Sequence, residues 1–269
     1  MWTFRQSRNA LNENLTQLYQ NLDTDLKLGQ HKQVLKTLQQ LQKRYPQDPR
    51  WMTRLGIVYE HQSQKCLAYH WYLSAAEKNY AAAFYHLGCI EMSRHNHRLA
   101  EHYLKQATLQ NYAHAFLALG EMYFQISQYQ FAIEAFKKAL EQQVIEAWLP
   151  LSRIYLILKD FKQAKLSLEA AFEHDLTYSA HYLGVYYQSL HRYSEAKDWY
   201  TYAFQVEKNL TSLENLGKVF CSEGQILYGE TLITIAQKLD QQQALNHNQQ
   251  QLLDQILGYL KPKIFPTED

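Results

Sequence analysis

Residues 113–144 read AHAFLALGEMYFQISQYQFAIEAFKKALEQQV, and this stretch decides the fold. Phe116, Leu119 and Tyr123 lie three or four residues apart, and Ala132, Phe136, Ala139 and Leu140 keep the same helical spacing. Between the two stripes sits a polar break holding an aromatic, Gln128-Tyr129-Gln130, matched later by Lys159-Asp160-Phe161 and His191-Arg192-Tyr193. The stretch therefore predicts two antiparallel helices of about 12–14 residues, each about 20 Å long.

The same unit recurs. Leu55-Gly56, Leu87-Gly88, Leu119-Gly120, Leu151-Ser152 and Leu183-Gly184 are spaced by 32 residues, and Leu216-Gly217 follows one residue late. Alanines run in parallel at 68, 100, 132, 164 and 196, and again at 75, 107, 139, 171 and 203. A fixed period of this length is the mark of a stacked-repeat array. The small residues read as steric requirements, glycine in the first helix and alanine in the second letting the two backbones approach. A leucine-sized side chain at Ala132 or Ala164 would cost about 1–3 kcal/mol in overpacking. Only nine glycines and five prolines occur, and no β-branched alternation appears, so the chain reads as helical nearly throughout.

Composition narrows the function. Lys plus Arg number 27 against 26 Asp plus Glu, so the basic excess or stripe expected of a nucleic-acid binder is missing. The basic pairs Lys43-Arg44 and Lys137-Lys138 sit near predicted helix C-termini, where positive charge is favourable. Three cysteines, Cys66, Cys89 and Cys221, occupy unrelated repeat positions and predict a reducing, cytoplasmic setting without disulfides. The N-terminal stretch has no apolar core of signal-peptide length, and no apolar run is long enough to span a bilayer.

The residues also carry a family resemblance. Trp148-x2-Leu151-Ser152-x2-Tyr155, with Ala164-x3-Leu168 and Ala171 after it, resembles the tetratricopeptide (TPR) pattern, as does Phe116-x2-Leu119-Gly120-x2-Tyr123. The string from Trp71-Tyr72 through Ala75-Ala76-Glu77 to Asn79 and Ala81, running on to Leu87-Gly88, resembles the Sel1-like repeat, a TPR relative. Gly56 to Ala68 is 12 residues, the TPR value within a hairpin. Ala75 to Gly88 is 13, the Sel1-like value between hairpins. Asn79, Asn111 and Asp175 share one register at that tight junction, and Asn209 lies in the junction with the extra residue. Asn and Asp are suited to the left-handed conformation that ends a helix.

The expected fold is all-α, a right-handed α-solenoid of stacked antiparallel helix pairs, with about seven repeats plus a C-terminal capping helix. An N-terminal segment spans 1–14, and the solenoid spans 15–242 in units of about 15–48, 49–80, 81–112, 113–144, 145–176, 177–209 and 210–242. In the first unit Leu22 takes the ladder-glycine place, and Val34, Leu38 and Leu41 stand for its small and aromatic positions. A capping helix covers 243–261, with Leu252, Leu253, Ile256, Leu257 and Leu260 on its apolar face, and 262–269 form a tail.

In TPR-like stacks the first helices line the concave face, so the resemblance implies a partner-binding groove. By register its residues are Arg50, Arg54, Ile57, Tyr85, Cys89, Met92, Leu117, Glu121, Phe124, Leu149, Arg153, Leu156, Tyr178, His181, Tyr182 and Lys218. Aromatic anchors with a polar rim suit a protein interface. TPR co-chaperones hold acidic peptide tails with Lys, Asn and Arg. Those rows here read Thr53, Tyr85, Leu117, Leu149, His181 and Ile57, Cys89, Glu121, Arg153, Val185, so that clamp is missing.

No catalytic residue, metal site or cofactor is expected. His95, His97 and His102 lack a completing ligand, and Cys89 with His86 lacks an oxyanion donor and a third group. The expectation is a non-catalytic scaffold or adaptor that binds a helix or extended segment of another protein, with neither nucleic acid nor membrane insertion. The resemblance implies a bacterial secretion or pilus assembly as a setting. The alternatives are an immunity-type protein neutralising a toxin, or a nucleic-acid-binding helical repeat.

Overall fold

The structure, a computed structural model, describes residues 2–259. Among them every regular element is helical, with fifteen α-helices, one 3-10 turn and no strand. None of these helices is long and apolar enough to cross a membrane. The chain groups into two compact units, 1–142 and 143–269.

Unit 1 holds four hairpins: α1 (Trp2–Lys27) with α2 (His31–Arg44), α3 (Pro49–His61) with α4 (Lys65–Ala76), α5 (Ala81–Ser93) with α6 (His97–Leu109), and α7 (Ala113–Gln125) with α8 (Tyr129–Glu141). The expected N-terminal segment is continuous with the first repeat helix, since α1 begins at Trp2. Unit 2 holds α9 (Trp148–Ile157) with α10 (Phe161–Glu173), α11 (Ser179–Ser189) with α12 (Tyr193–Gln205), α13 (Leu210–Ser222) with α14 (Ile226–Asp240), and then α15 (His247–Tyr259). Leu253 of α15 is buried against the α13–α14 core and Leu252 packs beside it, which closes that end. The rest of the expected cap and tail, 260–269, lies outside the described residues.

The large partners explain the ladder glycines. A Cβ on Gly120 would stand 2.6 Å from the Phe136 ring, and one on Gly56 or Gly184 would stand 2.5 Å from Tyr72 or Tyr200. Each glycine seats the bulky residue four positions after the hairpin's first alanine, so glycine and alanine do not simply face each other as the letters suggest. Backbone-to-backbone approach occurs in the last hairpin, where a Cβ on Gly217 would stand 2.6 Å from the Gly229 carbonyl oxygen. In the first hairpin Leu22 and Val34 fill the corresponding places and both are buried.

The hairpins share one closing device. Gly29, Ser63, His95, Ser127, Lys159, His191 and Gly224 all adopt positive φ, and the next residue's N–H donates back across the turn. Gln64 N donates to Tyr59 O, Gln128 N to Tyr123 O and Asp160 N to Tyr155 O, at 2.8–2.9 Å. This is the six-to-one bond of a Schellman cap. Between hairpins Asn79, Asn111 and Asp175 are left-handed as expected. Asn209 is not. Lys208 takes that conformation, and Asn209 becomes the N-cap of α13, its side chain accepting from Ser212 N at 3.3 Å. The extra residue shifts the left-handed site one place ahead of the asparagine.

Candidate partner-binding faces

In unit 1 the face is built by α3, α5 and α7, whose inner sides carry the ladder. Extended N-caps Asp48, Tyr80 and Tyr112 start all three in the same way. The ladder and alanine rows are consumed by packing, so the residues one helical step aside are left partly open. Ile57, Tyr85, Cys89, Met92, Leu117 and Phe124 are all half-buried, and Glu121 is exposed. The register thus leaves a mixed aromatic and aliphatic surface on this unit.

Its arginines are already engaged. Arg50 donates from Nε and Nη2 to the Asp48 carboxylate at 2.8–3.1 Å, and Arg54 does the same to Asp23 at 2.6 and 2.7 Å. Both guanidinium carbons stand over the Tyr19 ring, at 4.5 and 4.6 Å, and the Tyr19 hydroxyl donates to Asp48 at 3.0 Å. Burial raises the Asp48 carboxyl, but the Arg50 bonds lower it by more, leaving it below the usual range. These cations form a structural clasp between α1 and α3. Tyr19, Asp23 and Asp48 do not emerge from register reasoning, because the first repeat departs most from the pattern.

Tyr85 packs 5.3 Å from Tyr112, and burial lifts its phenol well above the ordinary value. Burial also pushes the Cys89 thiol up to about 11, with the Glu121 and Glu60 carboxylates adding to the rise. His86 stacks flat on Tyr72 at 4.7 Å, and burial lowers it to about 4. A neutral thiol beside a neutral imidazole is the reverse of an activated nucleophile pair. Desolvation raises the Glu121 carboxyl as well. His95 and His97 face each other across the turn at 6.1 Å, and no group of three metal-ligating side chains occurs among the described residues.

In unit 2 two of the three first helices, α9 and α11, start irregularly, while α13 starts from the extended cap Asn209. Pro150 lacks an N–H and fits only the first turn of α9, so the chain enters through a 3-10 turn, Ile145–Ala147. The N-cap of α11 is Tyr178, exposed and left-handed at φ 72°. Leu149, Leu156 and Tyr182 are half-buried, while Arg153 is exposed, its guanidinium 5.5 Å from the Tyr182 ring. Lys218 pairs with Glu214 at 2.7 Å.

His181 leaves the open face. Only 9% of it is exposed, and its Nδ1 lies 2.8 Å from the buried Ser212 hydroxyl. The signal was present in the letters: Ser212 occupies a row that reads Ala83, Ala115, Ala147 and Ser179 in earlier repeats, all buried. Ser212 meets a polar partner in the preceding repeat, His181, whereas Ser179 follows Leu149 in the same register. A second missed feature is an exposed row at the third position of α4, α6 and α8, namely Leu67, Leu99 and Phe131.

Residues 85–144 and 145–176 match models of the tetratricopeptide repeat family. No curated protein matches the sequence. Solved structures share the fold. A Sel1 repeat protein from Oxalobacter formigenes superimposes with a TM-score of 0.64 at 18% identity, covering 92% of this chain and 98% of that one. Pseudomonas aeruginosa PilF gives 0.62 at 15% identity, covering 74% and 94%. The APC/C hetero-tetramer Cut9–Hcn1 gives 0.65 at 14% identity, covering 88% of this chain and 48% of that one, so the chain spans about half its length. The architecture is that of the TPR and Sel1-like α-solenoids.

Proposed function

We propose that this chain, which has the TPR and Sel1-like architecture and matches tetratricopeptide models over residues 85–144 and 145–176, is a protein-interaction scaffold whose first-helix faces bind a helix or extended segment of a partner protein without catalysing a reaction. The observation that carries this reading is the unit 1 face, where Tyr85, Met92, Leu117 and Phe124 stay half-buried in register while the ladder beside them is fully packed. Half-open aromatic and long aliphatic side chains on a rigid helical frame are the anchors of a helix-in-groove interface. The even charge balance favours a protein partner over nucleic acid. Three free thiols, with Cys66 exposed, fit a reducing cytoplasmic compartment.

A multiprotein assembly such as a bacterial secretion or pilus apparatus is the setting in which such an adaptor would act. Affinity purification of the wild type beside a Tyr85→Ala/Phe124→Ala/Tyr182→Ala variant tests the reading. A protein partner should be lost from the variant while helical circular dichroism is unchanged. Survival of every partner would refute the face and move the interface elsewhere. Recovery of a single secreted toxin as the lost partner would favour the immunity-type role.

A further inference from the structure

The charges on the unit 1 face do not balance. Helices α3, α5 and α7 contain no lysine and two arginines, Arg50 and Arg54, both clasped by Asp48 and Asp23. Of their three glutamates, Glu91 is buried and held by Arg94 and Asn96 at 2.7–2.8 Å. Among the described residues the other two have no cation. Glu60 accepts a hydrogen bond from the Tyr72 hydroxyl at 2.7 Å and makes no ion pair, and Glu121 makes neither hydrogen bond nor ion pair.

Their positions relative to the apolar surface matter more than their number. Ile57, Cys89 and Glu121 share one register row, and Glu60, Met92 and Phe124 share the next. The two carboxylates therefore occupy opposite corners of a patch formed with Tyr85 and Leu117, and Cys89 between them feels both. We propose that this patch takes a partner-protein segment whose apolar residues are flanked by lysine or arginine. The proposal rests on the reading of the face as an interface and adds the partner's chemistry.

The reason is desolvation. A wholly apolar segment laid across the patch would strip water from two exposed, unpaired carboxylates. An acidic segment would meet like charge. A flanking cation removes both costs and sets the orientation of the segment, while the apolar centre supplies the area. Among the described residues these helices supply no free counter-charge, because Arg50 and Arg54 are both committed.

The test is selection of random 16-residue peptides displayed on phage against the full chain. Three targets are compared: wild type, Glu60→Gln/Glu121→Gln and Tyr85→Ala/Phe124→Ala. Wild type should enrich apolar sequences with Lys or Arg at the flanks. A synthetic copy of an enriched peptide, followed by fluorescence anisotropy, should bind the glutamine variant about three- to tenfold more weakly, a difference that shrinks in high salt. On wild type, changing that peptide's lysines to glutamate should abolish binding, a readout that needs no altered protein. Peptides that need Tyr85 and Phe124 but show no basic bias would overturn the charge inference and leave the face standing. No enrichment, or peptides indifferent to Tyr85→Ala/Phe124→Ala, would refute the face itself. Wild-type dimers in sedimentation that dissociate in Tyr85→Ala/Phe124→Ala would make a second copy the occupant and overturn the partner assignment.

Discussion

In the α7–α8 hairpin of unit 1, Gly120 faces the ring of Phe136. In the α13–α14 hairpin of unit 2, Gly217 faces the backbone carbonyl of Gly229, and Gly229 also abuts the Cys221 sulfur. One ladder position thus serves two kinds of contact. The first is a side chain in a socket, which can give by a few tenths of an ångström. The second is main chain against main chain, where only movement of a whole helix relieves a clash. The polar interiors differ in the same way. Among the described buried polar side chains, unit 1 holds Thr53 and Glu91, while Ser152, Ser167, Ser179, His181, Thr201, Asn209 and Ser212 belong to unit 2. Unit 2 therefore buries more polar side chains, and among them the Thr201 hydroxyl finds no hydrogen-bond partner among the described residues.

Substitution at the two glycines gives the largest expected effect. Gly217→Ala should cost about 3 kcal/mol, even after the roughly 1 kcal/mol that alanine gains over glycine in a helix. Gly120→Ala should cost about 1–2 kcal/mol, and adding Phe136→Leu should recover part of it. Urea unfolding followed by circular dichroism reads both. A neutral Gly217→Ala would mean that α13 and α14 can separate freely and would erase the distinction between the hairpins.

Each unit also buries one histidine near its face, anchored differently. His86 is stacked on Tyr72, and His181 is hydrogen-bonded to Ser212. Burial holds both below the ordinary histidine value, His86 at about 4. As pH falls below about 6.5 the unfolded chain takes up the proton first, so both units lose stability, unit 1 down to about pH 4 and by on the order of 3 kcal/mol. In unit 2 the Glu207 carboxyl, raised by burial, opposes the loss at the acid end, since its protonated form is favoured in the fold. Ser212→Ala sharpens the contrast, because alanine is what three earlier repeats hold in this row, at 83, 115 and 147. Packing is kept, His181 Nδ1 loses its partner, and about 1–2 kcal/mol should go. His181→Tyr/Ser212→Ala restores the Tyr85–Ala115 pairing of unit 1 and should recover most of that loss. A neutral Ser212→Ala would show that the hydrogen bond does not hold the joint.

The period, the hairpins and the tight junctions were legible because each is written many times in register. Repetition averages away the weakness of any one motif, so the Leu-Gly ladder located the first helices even where Ser152 replaces glycine. What faces the glycine was less legible, since a 16-residue offset from Gly120 to Phe136 has meaning only once the hairpin is folded. Register grouped the half-open residues of α3, α5 and α7, but it did not reveal that His181 is buried with its ring 2.8 Å from the Ser212 hydroxyl. Arg50 and Arg54 looked like groove cations because their partners, Asp23 and Asp48, lie outside the regular repeat. The division into two units was not legible, since neither the 3-10 entry to α9 nor the left-handed Tyr178 interrupts the ladder.

The hairpin turns give the smallest expected effect. Gly29 and Gly224 take the left-handed site in the first and last hairpins, while Ser63, His95, Ser127, Lys159 and His191 take it between them. The letters do not betray those five, because the Schellman bond that fixes them uses only backbone. A side chain at positive φ costs about 1 kcal/mol, so Lys159→Gly relieves strain in the folded chain. The unfolded chain gains freedom from the same change, which returns about 0.4–1 kcal/mol to the other side. Lys159→Gly and Ser127→Gly should therefore each stabilise their hairpin by no more than about 0.5 kcal/mol. Gly224→Ala, which adds strain at φ 85° and removes freedom only from the unfolded chain, should destabilise by a similar or larger amount. Equal shifts in the two units would show that the turn is one device throughout. A larger gain at Lys159 than at Ser127 would place extra strain in the irregular starts of unit 2.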